Sequence, residues 1–409
     1  MMQKRLLSLL LITVAVLGIG LILTQRQQPV VEGQAESGEL VPGLANALNN
    51  VSSIRITKAK NELVAELKRG EAGWTVANRH DYPADIGKVR EYLIKLSESK
   101  VREAKTSKPE NYSRLGVEDL GADAATGVGI ELGGLPEPFK LVVGISSGGG
   151  SAGTFVRRND DATSYLVTGD LIPEREGANW LAREIVNLPS SEVRSVSVTA
   201  PDKSSLKVEK ADPSAPNFTV LGIPKGRELS SESVGNLIPG MLDGLTLEDI
   251  LPTAEAQPDA ATTWTASYTG YDGLAIDLTL WGSSDKAWAR IAARVDDDAL
   301  DGWVAAEKSR AEAERATAEA EVAAKAAGTE AKPTDAAAAT TAGATADSTP
   351  APAIPPPFDA DKARAEKLAD VQKRVDELNA KSSPWAYAIP TWKAANIKKK
   401  MDDMLKPKG

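Results

Sequence analysis

Ile54-Arg55-Ile56 and Val196-Ser197-Val198 are the two stretches on which the fold turns. Both alternate apolar and polar residues, the period of a half-buried strand. The same series recurs around each of them. Leu63 to Leu67 follows the first and Leu206-Lys207-Val208 the second; Trp74-Thr75-Val76 then matches Phe218-Thr219-Val220. The offsets agree, with 20 residues from Ile54 to Trp74 and 22 from Val196 to Phe218. Next come Val89, Leu93 and Leu96 in one series and Val234, Ile238 and Met241 in the other, each at i, i+4 and i+7. That spacing predicts one amphipathic helix per series, the first capped by Asp85. Strands are then expected at 128–132, 139–145, 154–157 and 165–167, separated by Gly and Pro signals. Their partners are read from Gly144 against Gly282, Phe155-Val156-Arg157 against Trp288-Ala289-Arg290, and Tyr165-Leu166-Val167 against Tyr387-Ala388-Ile389.

This order predicts an α+β chain of two sequence-related lobes, each a mostly antiparallel sheet with one helix on a face. The first copy spans 51–187, and the second spans 188–300 and 384–409. Between the parts of the second copy lies an Ala/Pro-rich insertion, 301–383. A helix is expected from Trp303 to about Ala327, then a segment too rich in Ala, Thr and Pro to fold, from Gly328 to Phe358. A second helix follows from Asp361 to Ala380, with Leu368, Val371, Val375 and Leu378 at heptad a/d spacing. Two readings of the insertion stay open: an exposed helical hairpin, tolerated because long surface loops cost little, or an arm that docks a partner.

Residues 6–23 are an uncharged run of 18. As a helix it would span about 27 Å, close to the apolar thickness of a bilayer. Lys4 and Arg5 precede it, while Glu32, Glu36 and Glu39 lie beyond it. The short basic flank keeps residues 1–5 in the cytoplasm. The expected layout is a signal anchor at 6–24, a polar tether at 25–50 and an extracytoplasmic, periplasmic body on the inner membrane. A cleaved signal peptide is the competing reading, opposed by the length of the run and by the missing small-x-small site after it.

The 409 residues contain no cysteine and one histidine, His80, with a net charge of −9. Disulfides, thiolate nucleophiles and Cys-ligated metals are excluded, and a His cage is too. The acidic balance argues against nucleic acid. No Gly-Lys-Ser/Thr element exists to cradle a nucleotide. His80-Asp81 could be a base with its orienting carboxylate, but adjacent loop side chains rarely converge that way. Ser97-Glu98-Ser99-Lys100 and Ser283-Ser284-Asp285-Lys286 fit S-x-x-K without the companion elements of acyl-serine enzymes. The run 146–151 reads as a hairpin turn, and Asp296-Asp297-Asp298 as a solvated acidic tip outside any EF-hand spacing. The expectation is a protein without enzymatic activity and without a cofactor.

Six of eight tryptophans fall in the second copy or beside its insertion. They are read first as core and rim residues of a sheet. As a surface they could dock a partner, and the candidate partner-binding residues are Trp288, Trp303, Trp385 and Trp392 with Leu368, Val371, Val375 and Leu378.

The order of elements resembles the bacterial envelope family known as domain of unknown function 4340. The resemblance rests on Leu40-Val41-Pro42-Gly43-Leu44, Val51-Ser52-Ser53-Ile54-Arg55-Ile56 and Gly73-Trp74-Thr75-Val76. It extends through Asp81-Tyr82-Pro83-Ala84-Asp85, Pro109-Glu110-Asn111-Tyr112, Leu115-Gly116-Val117 and Trp385-Ala386-Tyr387-Ala388-Ile389-Pro390. It implies a single-span accessory protein of an ABC-2-type transport system related to the gliding-motility transporter. The implied partners are a permease and a second auxiliary envelope protein, and the resemblance transfers no catalytic residue. The alternatives are an envelope glycan- or lipid-binding module using the Trp-rich second lobe, and an envelope hydrolase built around Ser97 or His80.

Overall fold

The computed structural model describes residues 38–148, 153–158, 161–329 and 354–407, with the side chains of 325–329 excepted. The segment expected to span a membrane, 6–24, and most of the expected unfolded segment, 330–353, lie outside the described residues. Among the described residues no helix is long and apolar enough to cross a membrane. The chain is α+β with large antiparallel sheets, and it divides into two compact units, one ending at Arg183 and the other starting at Glu184.

Unit 1 opens with a short helix, α1 (Leu44–Ala47), and continues through β1 (Ser53–Lys58), β2 (Glu62–Gly70), β3 (Gly73–Val76) and β4 (Tyr82–Pro83). Helix α2 (Ile86–Glu98) follows, then β5 (Val101–Ala104), β6 (Val128–Gly133), β7 (Phe139–Ser146), β8 (Gly153–Arg158) and β9 (Ser164–Thr168). Asp85 caps α2 by accepting from the Lys88 N–H at 3.1 Å, and Val89, Tyr92, Leu93 and Leu96 form its buried stripe. The strands make one sheet in the order β4-β3-β2-β1-β6-β7-β8-β9-β5. Ile54 and Ile56, with Leu132 and Ile130 opposite them, line one buried face.

The compact body begins earlier than the sequence suggests. Leu40, Val41 and Leu44 are buried, and residue 39 bridges Lys100 beside β5. The Leu40 N–H donates to Ser99 O and the Val101 N–H to Gly38 O, each at 2.8 Å. The tether expected over 25–50 therefore ends where this apolar cluster enters unit 1, because Leu40, Val41 and Leu44 gain more by burial than by solvation.

Unit 2 comprises β10 (Glu184–Val186), β11 (Val193–Thr199), β12 (Ser205–Glu209), β13 (Thr219–Leu221), β14 (Leu245–Thr246), β15 (Asp249–Pro252), β16 (Trp264–Gly270), β17 (Leu274–Gly282) and β18 (Ala287–Val295). Helices α3 (Asp297–Thr329) and α4 (Ala360–Ser382) come next, followed by β19 (Trp385–Ile389), α5 (Thr391–Ile397) and α6 (Met401–Met404). β10 and β14 form a ribbon; the large sheet runs β13-β12-β11-β16-β17-β18-β19-β15. Without β4, the sheet of unit 1 has the same order, strand for strand.

The registers agree as well. Ile54 faces Leu67 and Leu132, as Val196 faces Val208 and Tyr268. Val143 faces Val128 and Val156, as Leu280 faces Trp264 and Ala289. Tyr165 faces Val156 and Ala104, as Tyr387 faces Ala289 and Ile250. One expected match is corrected: a bulge between Val143 and Ser146 puts Ser146, not Gly144, in register with Gly282.

A second correction concerns the helix expected at Val234, Ile238 and Met241. Two 3-10 turns stand there, Val234–Leu237 and Pro239–Leu242. Pro239 removes the N–H that would continue a helix, and Gly235 and Gly240 lower its propensity. The apolar face survives: Ile238, Met241 and Leu242 are buried, and Tyr268 donates to Ile238 O at 3.1 Å.

The insertion is not a detached hairpin. β18 pairs with β19 only through Ala287, Trp288 and Ala289, so its later residues present an open edge. Helix α4 packs along that edge. The Asn379 amide accepts from the Ala293 N–H and donates to Ala293 O, both at 2.8 Å, standing in for a neighbouring strand. Ser382 donates to Ile291 O at 3.1 Å. Asp272, in the β16–β17 turn, holds Lys367 and Arg374 of the same helix. Helix α3 leaves β18 with Ala299 and Leu300 buried, and beyond Val304 no described side chain of it is buried.

Candidate functional site

In each unit one face of the large sheet takes the helix or the 3-10 turns, and the opposite face is covered by the connection that leads to the next strand. In unit 1 this is the β5–β6 connection. A 3-10 turn, Pro109–Arg114, places Tyr112 against the sheet, and Tyr112, Val117 and Leu120 pack with Val142, flanked by Leu115, Ala125 and Phe155. Close approach is possible because the sheet is glycine there. A Cβ on Gly144 would lie 2.0 Å from Leu115 O, and one on Gly127 2.3 Å from Gly116 O.

Arg157 of β8 fastens this cover. Its side chain is only 7% exposed. Nε donates to Val117 O at 2.9 Å, a second N–H meets the Asp119 carboxylate, and the guanidinium lies 4.8 Å from the Tyr112 ring centroid. The Tyr112 hydroxyl donates to Ala162 O; burial raises its pKa, with Arg157 opposing. Burial and the neighbouring Asp161 likewise raise that of Tyr165.

Two recesses flank the cover. One of about 450 Å³ is lined by Tyr112, Glu118, Asp119, Arg157 and Asp161. The other, about 380 Å³, has Arg55, Asn61, Asp119, Glu131 and Lys140 on its walls. Lys140 pairs with Glu131 at 3.3 Å and Arg55 with Glu66 at 3.6 Å. Both recesses are polar and mixed in charge, which suits recognition of a polar surface.

Unit 2 repeats the device with other residues. Arg290 stands in register with Arg157, since each is one residue past the matched pair Val156 and Ala289. It donates to Thr253 O at 2.8 Å and to Ala256 O, both in the β15–β16 connection, and lies 5.6 Å from the Trp281 ring. Here the covered face of the sheet is aromatic. Trp281 and Trp288 face each other across β17 and β18, and Ala256, Trp281, Ala386 and Trp288 pack together. Lys286 lies 4.6 Å over the Trp288 ring and 3.4 Å from Asp249.

The eight candidate partner-binding residues do not form one surface. Trp288 belongs to the cluster just described. Trp385 is half-buried on β19 opposite Pro252. Trp303 lies on α3 under the Lys367 ammonium, 5.4 Å from it. Val371 and Val375 are 0% and 5% exposed, so the heptad stripe is occupied by the chain's own sheet. That corrects its reading as a partner-binding face: periodicity shows which side of a helix is apolar, not what covers it. Leu368 is half-buried, and Leu378 lines a groove of about 320 Å³ with Ile185, Val186, Leu188, Leu274 and Ile276. Lys381 closes that groove, and burial lowers its pKa despite Glu184. Trp392 stands apart, 64% exposed on α5.

The residues considered for chemistry stand in local turns and at helix ends. Ser97 donates to Ile94 O, three residues before it in the helix, at 2.8 Å. His80 and Asp81 are exposed with φ of 55° and 56°, in the turn after β3. Ser283 accepts from the Asp285 and Lys286 N–H groups within a turn. Asp296 accepts from the Ala299 N–H at the start of α3 and pairs with Arg294. Among the described residues no group of three acidic or imidazole side chains converges as a metal site. Sequence reasoning did not single out Arg157 and Arg290, although the match of Phe155-Val156-Arg157 with Trp288-Ala289-Arg290 already aligned them.

The family model described as Domain of unknown function (DUF4340) matches residues 74–263, from β3 of unit 1 to the residue before β16 of unit 2. No curated protein and no solved structure matches the chain.

Proposed function

Through residues 74–263 the chain belongs to the DUF4340 family, and from that premise we propose a membrane-anchored, extracytoplasmic accessory protein of an ABC-2-type transport system that acts by binding. Residues 6–24 anchor it, residues 1–5 stay in the cytoplasm, and the two units work in the periplasm beside a permease and a second auxiliary protein. The units are sequence-related copies. This chain carries no phosphate-cradling Gly-Lys-Ser/Thr element, so ATP hydrolysis belongs to a partner.

One observation carries the binding reading: the two units keep the same strand order and register while covering the same face with different chemistry. Unit 1 leaves Glu118, Asp119 and Asp161 around polar recesses; unit 2 leaves the half-buried Trp288 ring with the Lys286 ammonium over it. A frame held constant under two divergent surfaces supports two docking surfaces for different partners, since function sits in what a fold displays.

Purification of the full chain from mild detergent tests this. Recovery of a transporter permease with the wild-type chain is the expected result. Recovery without any transporter subunit, under conditions that preserve such complexes, contradicts it.

A further inference from the structure

The first described residues are built into unit 1 as a strap. Glu39 and Lys100 form an antiparallel bridge at the edge of β5. It lies between the hydrogen bonds that join Leu40 to Ser99 and Val101 to Gly38. Leu40, Val41 and Leu44 are buried beside it. Arg158 of β8 reaches the same strap, its Nη2 donating to Leu40 O at 2.8 Å and to Glu39 O at 3.4 Å. Neighbours on a strand point to opposite faces. Arg157 therefore fastens the cover of the sheet, and Arg158, next to it, fastens the strap.

An unbroken series of contacts runs from the strap to the larger recess of unit 1. The Arg158 guanidinium lies 5.8 Å from the Tyr165 ring centroid, and the Tyr165 hydroxyl donates to the Asp161 carboxylate. The Asp161 N–H donates to Arg158 O at 3.2 Å, and Asp161 lines the recess with Tyr112 and Arg157. The next residue, Ala162, accepts from the Tyr112 hydroxyl. Unit 2 supplies a contrast. Arg290 repeats Arg157 there, but Ile291 stands in the register of Arg158. Its edge strand β15 has no N–H at Pro252, and the Asp249 carboxylate takes that of Ile250. The second arginine belongs to the unit whose edge carries a strap.

We propose that docking of the strap, residues 38–44, regulates this recess of unit 1 through Arg158, Tyr165 and Asp161. Burial of Leu40, Val41 and Leu44 favours the docked state. Against it stands the Arg158 Nε, buried without a hydrogen-bond partner, a cost that release into water removes. Release takes both strap carbonyls from the guanidinium and loosens Tyr165 and Asp161. With them goes the Ala162 carbonyl that holds Tyr112 against the sheet. The docked strap keeps the recess in its present form, and a pull arriving through the chain before Gly38 opens it. This regulation rests on the reading above, for the binding it serves and for the membrane segment that pulls.

The test is hydrogen exchange on the full-length chain in detergent, carrying Glu39→Cys and Lys100→Cys. The chain has no other thiol. A pair flanked by hydrogen bonds in this way is the closely spaced antiparallel kind, within reach of a disulfide. Oxidation locks the strap and reduction frees it in one and the same protein. The expected result is exchange of residues 109–120 about tenfold slower when oxidised, with β1, β2 and residues 253–263 of unit 2 unchanged. In an added Arg158→Met that difference disappears. Equal exchange of 109–120 in both redox states overturns the proposal. Slowing that extends equally to β1 and β2 overturns it as general stabilisation, and a difference retained in Arg158→Met overturns the route. A pair that fails to oxidise, read by mass, contradicts the docked strap itself. None of these readings involves a permease, so the regulation fails or stands apart from the purification that tests the binding role.

Discussion

Unit 1 and unit 2 are the same sheet finished in two ways. One residue past the matched positions Val143 and Leu280, unit 1 has Gly144 and unit 2 has Trp281. The glycine lets a backbone loop lie directly on the sheet; the tryptophan fills the corresponding space with a ring. In both, an arginine at the same register position ties the cover down. The frame and its fastening recur while the covered face differs, so one strand order carries two different coverings.

The arginines offer the sharpest way to break that comparison. Arg157 is almost fully buried, so Arg157→Ala leaves the Val117 carbonyl without its donor and opens a space beside the Tyr112 ring; the freed Asp119 carboxylate is solvated, and the cost should be about 2.5 kcal/mol. Arg290 is half-buried and binds only carbonyl oxygens; Arg290→Ala should cost about 1.5 kcal/mol. Urea unfolding of each variant reads both. Equal losses would mean that burial does not distinguish the two fastenings.

Gly144→Ala should follow, at about 2 kcal/mol, because its Cβ collides with the Leu115 carbonyl oxygen and the loop must shift. Trp281→Phe, which keeps a ring in the corresponding place, should be milder in the same assay. Asn379→Ala should cost about 1.5 kcal/mol by stripping both backbone groups of Ala293 of their partner. Hydrogen exchange should show the Ala293 amide losing protection while the amides of β8 keep theirs.

The smallest expected effect concerns the docking of α4. Burial pushes the Asp272 carboxyl up, but the Leu274 N–H and the charges of Arg374 and Lys367 outweigh it and hold it below the ordinary carboxylate value. A carboxyl lowered in the folded state stabilises fully above its unfolded pKa of about 3.9, and the contribution is lost as pH falls through the folded value. Protease sensitivity of the insertion should therefore rise below about pH 4. In Asp272→Asn it should already be raised at pH 7, with a flatter response to acid. A wild-type response as flat as that of the variant would remove Asp272 from the account.

Much of the frame is legible in the amino-acid order. Ile54-Arg55-Ile56, Trp74-Thr75-Val76 and the stripe Val89, Leu93 and Leu96 lie where alternation and helical spacing put them, because one face of each is buried and the other wet. The helix expected at Val234 failed for a local reason, since Pro239 breaks the ladder while its apolar neighbours stay in the core. The short strands β5 and β15 escaped because four residues carry too little period to read. The covers over the sheets were illegible for a different reason. Gly127, Gly144 and Arg157 act through backbone contacts between segments distant in sequence, and no periodicity encodes those. Val371 and Val375 show the converse, an apolar stripe read correctly as a stripe and wrongly as a free one.

Two binding units beside a permease must lie outside the inner membrane. The chain has no cysteine, so Lys308→Cys on the exposed part of α3 introduces a single thiol that a membrane-impermeant maleimide can find. Labelling in cells whose outer barrier is opened and whose inner membrane is intact is the result expected for two binding units held outside that membrane. Labelling only after the inner membrane is lysed would contradict it.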